Sequence, residues 1–279
     1  MKRRKKSQRK DFQQLTELLA QRIEQEGPDT VARTIARATV NLYGSYSSSN
    51  VVALAAQYPG VSWVMGYRGW QELGYQVRKG ERALWILAPR WRKTGEDEEG
   101  NAERELAGFI TVPVFDVSQT DAPPEAHPSP RARVRADEES LKRAIAAVSR
   151  EIAPVRLVER SDGRYNGMYE PGAHRITLYA GTPGQMLLTL AHEAAHALLH
   201  RSDENHTDAR FAEVEADLAA YLVAEALGLE GHDEAAVFYL TRYLDEPREL
   251  FTALRRSAGA AMRIIDAITG KREAPDAAA

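Results

Sequence analysis

The sequence predicts an α+β protein of two domains, an N-terminal α+β domain and a mainly helical C-terminal domain with a small sheet. Three observations carry that expectation. Apolar residues recur at helical spacing over several long stretches, short β-like runs gather in two places, and a proline-rich stretch without hydrophobic periodicity parts the halves. The predicted boundaries are a basic arm over residues 1–11, a first domain over 12–118, a linker over 119–136, a second domain over 137–270 and a disordered tail over 271–279.

The arm holds seven Lys or Arg within its first ten residues, which suits a solvated segment that attracts polyanions without specificity. Leu15, Leu18, Leu19 and Ile23 then predict a helix over 12–26, stopped by Gly27-Pro28, and Asp29-Thr30 can open a second helix to about Val40. A Ser-rich run, 45–50, precedes a short apolar helix over 51–56. Residues 83–88 and 109–115 read as strands flanking an acidic loop over 96–105. Four prolines mark the linker.

In the second half a helix is expected over 137–152, strands over 155–159 and 175–179, and two long helices over 183–200 and 209–227. A last helical region runs from about 233 to 268 with a break near Asp245-Glu246-Pro247.

At 43% hydrophobic and 28% charged, the composition is that of a globular protein. The absence of cysteine rules out disulfides, Cys-based zinc clusters and thiol nucleophiles, so any metal must be held by His, Asp or Glu. No run approaches the roughly 20 apolar residues of a membrane span, and no apolar core follows the basic N-terminus, so a cytoplasmic protein without a membrane partner is expected. The net charge of -3 conceals an imbalance. Residues 1–135 hold 21 Lys+Arg against 16 Asp+Glu, and residues 136–279 hold 16 against 24, so a bound polyanion is expected at the N-terminal half.

The strongest chemical signal is His192-Glu193-Ala194-Ala195-His196. On a helix, residues four apart share a face, so both imidazoles can be directed at one ion. Glu193, one position round, can take a proton from a water activated by that ion. The apolar residues on either side, Met186 to Ala191 and Ala197 to Leu199, bury the histidines, and a buried His-Glu-His cluster lacking a ligand would be costly. Zn2+ is the expected cofactor.

A catalytic ion needs a third protein ligand, and the candidates are Glu213 and Glu215 on the following helix. Glu213 is favoured because Asp217, one turn on, can then orient a ligand histidine from behind, so one arrangement accounts for two residues. His200 is too far along the helix to join one tetrahedral ion, since helical ligands at i, i+4 and i+8 span about 12 Å. It is read as helix-end packing, and His206 as a loop histidine.

All four tryptophans, Trp63, Trp70, Trp85 and Trp91, fall within residues 63–91 among Arg68, Arg78, Lys79, Arg82, Arg90, Arg92 and Lys93. Flat rings among cations suit unpaired bases and their phosphates, so single-stranded DNA is the expected partner. The candidate contacts are Trp63, Tyr67, Trp70, Arg78, Lys79, Arg82, Trp91 and Arg92. Trp85, inside an apolar run, is assigned to the core.

Two resemblances extend these readings. The stretch from Arg175 to Tyr179, the segment Leu187 to His200 with its HEAAHALLH, and Glu213-Val214-Glu215-Ala216-Asp217 resemble zincin-type metallopeptidases of the ImmA/IrrE class. That resemblance implies Glu193 as general base and His192, His196 and Glu213 as zinc ligands, with Tyr221 or a loop residue as a candidate for stabilising an oxyanion. The segment Trp63 to Trp70, the string Val77-Arg78-Lys79-Gly80-Glu81 and the later Val114-Phe115-Asp116-Val117-Ser118-Gln119 resemble the N-terminal single-stranded-DNA-binding domain of ArdC-type antirestriction proteins. In that family a metallopeptidase-like domain follows, in the same order as here.

Together they imply a single-stranded-DNA-binding, zinc-dependent metallopeptidase acting in antirestriction or on a mobile element. Two alternatives remain at this stage: a regulatory protease that cuts a DNA-bound repressor as its protein substrate, and a DNA-protecting binder with a structural zinc.

Overall fold

Leu15, Leu19 and Ile23 recur along one face of α1 (Phe12–Glu26) and are buried, as their spacing predicts. In the computed structural model, residues 12–42, 45–96, 102–123, 134–159, 166–201, 209–230 and 246–270 are described. The basic arm, the centre of the acidic loop, most of the linker, His206, the expected break at Asp245 and the tail lie outside the described residues.

Gly27 adopts φ +85 and closes α1, and Pro28 begins α2 (Pro28–Leu42), where its fixed φ and missing N–H cost nothing. Ser47 caps α3 (Ser48–Gln57) by accepting from the Asn50 N–H. After β1 (Val64–Met65) and the short α4 (Tyr67–Glu72), a long hairpin of β2 (Leu84–Glu96) and β3 (Ala102–Asp116) completes an antiparallel sheet of order β1-β3-β2. The two strands outrun the predicted 83–88 and 109–115 because main-chain pairing continues from Leu84↔Val114 out to Glu96↔Ala102, past the part that packs on a helix.

Side-chain amides of α3 hold the free edge of β2. Asn50 accepts from Leu87 N–H and donates to Leu87 C=O at 2.8 and 2.9 Å, and Gln57 does the same for Trp85 at 3.0 and 2.8 Å. The docking occupies edge groups that would otherwise invite another strand. It also leaves Leu84, Ile86 and Val114 buried, while alternation turns Phe109, Thr111, Pro113 and Phe115 to the other face.

Asp116, fully buried at the end of β3, accepts from the Ser62, Trp63 and Ser118 amides at 2.7, 3.1 and 2.9 Å. A carboxylate satisfied by main-chain donors in this way ties the loop before β1 to the end of β3.

In the second half, Asp137 caps α5 (Glu138–Glu151), and a sheet of order β4-β6-β5 follows, made of β4 (Val155–Val158), β5 (Gly167–Glu170) and β6 (Arg175–Tyr179). β4 runs parallel to β6 and β5 antiparallel to it. In the β5–β6 turn, His174 at φ 44 accepts from the Tyr169 hydroxyl at 2.8 Å and donates to Ile152 C=O at 3.0 Å. Three long helices follow among the described residues: α6 (Pro183–Leu199), α7 (Ala209–Leu227) and α8 (Pro247–Thr269).

The fold is α+β, and helices from the two sides of the linker share one continuous core. α8 packs on α1 and α3 as well as on α5, α6 and α7, and α2 packs on α7. At the α2–α7 contact, the buried Tyr221 hydroxyl donates to Asp29 at 2.7 Å, and Arg33 bridges Asp29 and Glu225 at 2.9 and 3.2 Å.

Candidate metal centre

Thr182 caps α6 and Pro183 fills its first turn, so the helix starts cleanly two turns before the histidines. One turn apart on α6, His192 and His196 bring their Nε2 atoms to 3.0 Å. From α7, Glu213 places Oε2 3.4 Å from His192 Nε2 and Oε1 3.5 Å from His196 Nε2. Small buried residues, Ala191, Ala194 and Ala195 on α6 and Ala216 and Ala219 on α7, allow the two helices this approach.

These three side chains are the group among the described residues that can offer ligand atoms to one ion. Their separations fit. Bonds of 2.0–2.1 Å in a tetrahedron put ligand atoms about 3.3 Å apart, and the observed values of 3.0, 3.4 and 3.5 Å bracket that edge. Two imidazoles with one carboxylate form a donor set for a divalent transition-metal ion, and the exposed Glu213 and half-exposed Asp217 leave a direction open to solvent.

Behind His192, Asp217 Oδ1 lies 2.8 Å from Nδ1. Nδ1–H therefore donates to the carboxylate, and Nε2 is directed at Glu213 and His196. Burial, the largest effect, disfavours a charged His192, but Asp217 and Glu213 outweigh it and push its pKa up to about 10. Burial and the neighbouring His192 bring His196 down to about 4. The His192 hydrogen bond holds Glu213 below the usual carboxylate range. A cation held between the two Nε2 atoms would take the place of the proton that His192 otherwise carries.

Glu193 is 7% exposed, and burial raises its pKa despite the adjacent His192 and a hydrogen bond from the Tyr169 main-chain N–H. A carboxylate shifted upwards in this way is a better proton acceptor than an exposed one. β5 comes this near because residue 167 is glycine: a Cβ there would stand 2.5 Å from Thr189 Cγ2 and 3.2 Å from Glu193 Cγ.

Three of the four acids of α7 lie near the centre and are used differently. Glu213 faces both Nε2 atoms, Asp217 holds His192, and Glu215, with no exposed surface, is turned to His200 and Arg256. Tyr221 is not at the centre. Its hydroxyl is committed to Asp29 in the α2–α7 contact, which corrects the expectation of an oxyanion role.

The candidate DNA contacts separate by burial. Trp70 is fully buried and its indole N–H donates to Phe115 C=O at 2.9 Å, so it has no face for a base; this corrects its assignment. Arg78 is exposed, and its guanidinium also donates to Thr120 C=O at 2.6 Å, to Ser118 C=O and to Glu81, so it helps to close a turn. Trp63 is half-buried, edge-on to Trp70. Tyr67, Lys79, Arg82, Trp91 and Arg92 are exposed, with Arg92 paired to Glu105.

Sequence reasoning missed Phe109 and Leu106, which are 64% and 50% exposed on β3 near Trp91 at 56%. The signal was present: residues 109–115 are apolar at nearly every position, and only one face of an edge hairpin can pack on α3. The Arg256–Glu215–His200 group was missed because its members lie up to 56 residues apart in sequence and meet only through the packing of α6, α7 and α8.

Known proteins resemble the chain in both halves. Residues 11–116 match the family model of the N-terminal domain of anti-restriction factor ArdC. The metal-free crystal structure of antirestriction protein ArdC from the R388 plasmid superposes with a TM-score of 0.61 at 24% identity, covering 93% of this chain and 98% of that one. The Mn(II)-bound structure of that protein gives 0.61 at 25% identity, covering 94% of this chain and all of the other. An uncharacterized protein of Bacillus anthracis is 22% identical over 251 residues, and the alignment takes in 75% of this chain but only 42% of that longer protein. No helix among the described residues is long and apolar enough to cross a membrane.

Proposed function

We propose, from an N-terminal segment matched to the ArdC N-terminal domain and a fold shared with ArdC, that this chain is an antirestriction protein. In this reading it binds single-stranded DNA with its N-terminal half and carries a metal-dependent hydrolytic centre in its C-terminal half. The observation that carries the second part is the meeting of His192, His196 and Glu213 within one ion's reach, with the buried carboxyl of Glu193 adjoining.

His192, His196 and Glu213 would hold the ion, and Asp217 orients His192. Bound there, a divalent ion supplies Lewis acidity toward a water or a carbonyl oxygen. Glu193, raised by burial, takes the proton from the attacking water and returns it to the leaving group. The two imidazoles favour Zn2+ over Mn2+ by affinity, and Mn(II) is the ion in the related structure. The first part rests on the uncovered face of the N-terminal sheet, where Tyr67, Trp91 and Phe109 present rings for stacking with Lys79 and Arg82 as neighbouring exposed cations of the same half.

Glu193→Gln separates the parts. It should retain the metal, measured by elemental analysis, and single-strand binding, measured by gel shift with and without chelator, while abolishing hydrolysis. Antirestriction that persists undiminished in Glu193→Gln would assign that activity to binding alone.

A further inference from the structure

The geometry points to a second role for α7 and α8: Glu215, anchored by Arg256, fixes the ligand histidine His196 through His200, as the positioning device of the metal centre. This rests on the reading of His192, His196 and Glu213 as metal ligands.

The starting point is a carboxylate that has no exposed surface. Such a group is stable only when both oxygens are partnered. Arg256 Nε donates to Glu215 Oε1 at 2.6 Å, and His200 Nε2 lies 3.0 Å from Oε2. The Ser257 hydroxyl donates to the Glu215 main-chain carbonyl at 3.0 Å, fixing that turn of α7 against α8. Arg256 also reaches Leu199 C=O at 3.3 Å, at the end of α6, where main-chain carbonyls lack helical partners. Both Glu215 oxygens are engaged away from the ion.

The proton positions then follow in one order. If His196 Nε2 faces the ion, its proton sits on Nδ1, which lies 3.1 Å from His200 Nδ1. His200 Nδ1 must therefore accept, so its proton is on Nε2 and is donated to Glu215. Each link admits one direction, and together they hold the His196 ring with its Nε2 lone pair toward Glu213. His192 achieves the same result with a carboxylate in direct contact, Asp217. The two ligand histidines are thus oriented by different means, a short one on α7 and a long one that reaches α8.

The test compares the full chain with His200→Leu, which fills the space without hydrogen bonds, and His200→Gln, whose amide keeps one acceptor and one donor. Zn2+ and Mn2+ affinities are measured by competition with a chromophoric chelator, beside melting curves of the metal-free proteins. The expected result is a 10- to 100-fold weaker affinity for His200→Leu, whose metal-free form stays folded but melts at a lower temperature because Glu215 Oε2 loses its partner, and recovery of most of the affinity in His200→Gln. An affinity for His200→Leu within about twofold of the parent, or a His200→Gln as weak as His200→Leu, overturns the proposal.

Nitrogen-15 spectra of the zinc-loaded parent give a second readout that needs no variant. Protons on His196 Nδ1 and His200 Nε2 support the arrangement, and a proton on His200 Nδ1 overturns it. A parent that binds neither ion overturns the metal reading itself, and this inference with it. A parent that binds while His200→Leu is unaffected overturns this inference alone.

Discussion

Gly167 and Glu193 touch across the β5–α6 contact: a Cβ on Gly167 would stand 3.2 Å from Glu193 Cγ and 2.5 Å from Thr189 Cγ2. Gly167→Ala must therefore shift the Thr189 side chain or move the strand against the helix. A loss of about 1–3 kcal/mol in thermal or denaturant unfolding is expected, as for other overpacked sites. Metal content should persist, since neither clashing side chain is among the three proposed ligands. Unfolding at the parent's midpoint would show that β5 does not constrain Glu193.

The exposed and buried aromatics should part experimentally. Trp91→Ala and Phe109→Ala remove rings that are 56% and 64% exposed and should leave unfolding nearly unchanged, while weakening single-strand binding by about 5- to 150-fold each. Trp70→Ala should cost about 3–5 kcal/mol of stability, because it empties the core beside Phe115. Equal DNA affinity in Trp91→Ala, Phe109→Ala and the parent would remove the sheet face from the interface.

The cations divide in the same way. Lys79→Ala and Arg82→Ala should each lower the salt slope of single-strand binding by roughly one, as loss of a phosphate contact does. Arg78→Ala should instead reduce stability by about 1 kcal/mol, through loss of its bonds to Thr120 and Ser118 C=O, with the slope preserved. Slopes at several salt concentrations, read beside melting curves, decide between these outcomes.

Tyr46 should govern part of the alkaline limit. Burial raises its pKa to about 12, and its hydroxyl donates to Val64 C=O at 2.8 Å. An unfolded tyrosine ionises near pH 10, so the folded state holds its proton longer. The stabilisation is complete below about pH 10 and is lost as the pH climbs to about 12, at up to about 1.4 kcal/mol per pH unit. Tyr46→Phe should be slightly less stable at pH 8 but lose less between pH 10 and 12, as followed by denaturant titrations.

Tyr221→Phe tests a contact between the halves of the chain. Removal of the hydroxyl that bonds Asp29 should cost about 1 kcal/mol and leave metal affinity unchanged. A selective loss of hydrolysis at unchanged stability would return Tyr221 to the reaction.

Much of the fold was legible because it is local. The spacing of Leu15, Leu19 and Ile23, the Gly27-Pro28 stop and the Asp137 cap place helices within a residue or two of their observed ends. α4 and β1 were missed because elements of six and two residues carry too few positions to show a period. β5 was not separated from its turn, since four residues around Gly167 offer no clear alternation.

For the site, sequence alone determined the pair His192 and His196 with Glu193 between them, because one helical turn sets their common face whatever surrounds them. It narrowed the third partner to α7 but not to a single residue, since Glu213 and Glu215 differ only in the angle at which α7 meets α6. Tertiary packing decided that: small alanines let the helices close so that Glu213 faces the imidazoles, while α8 brings Arg256 to claim Glu215. Packing likewise decided which aromatics face solvent, because α3 covers one side of the hairpin and Trp70 turns inward, choices no spacing along the chain encodes.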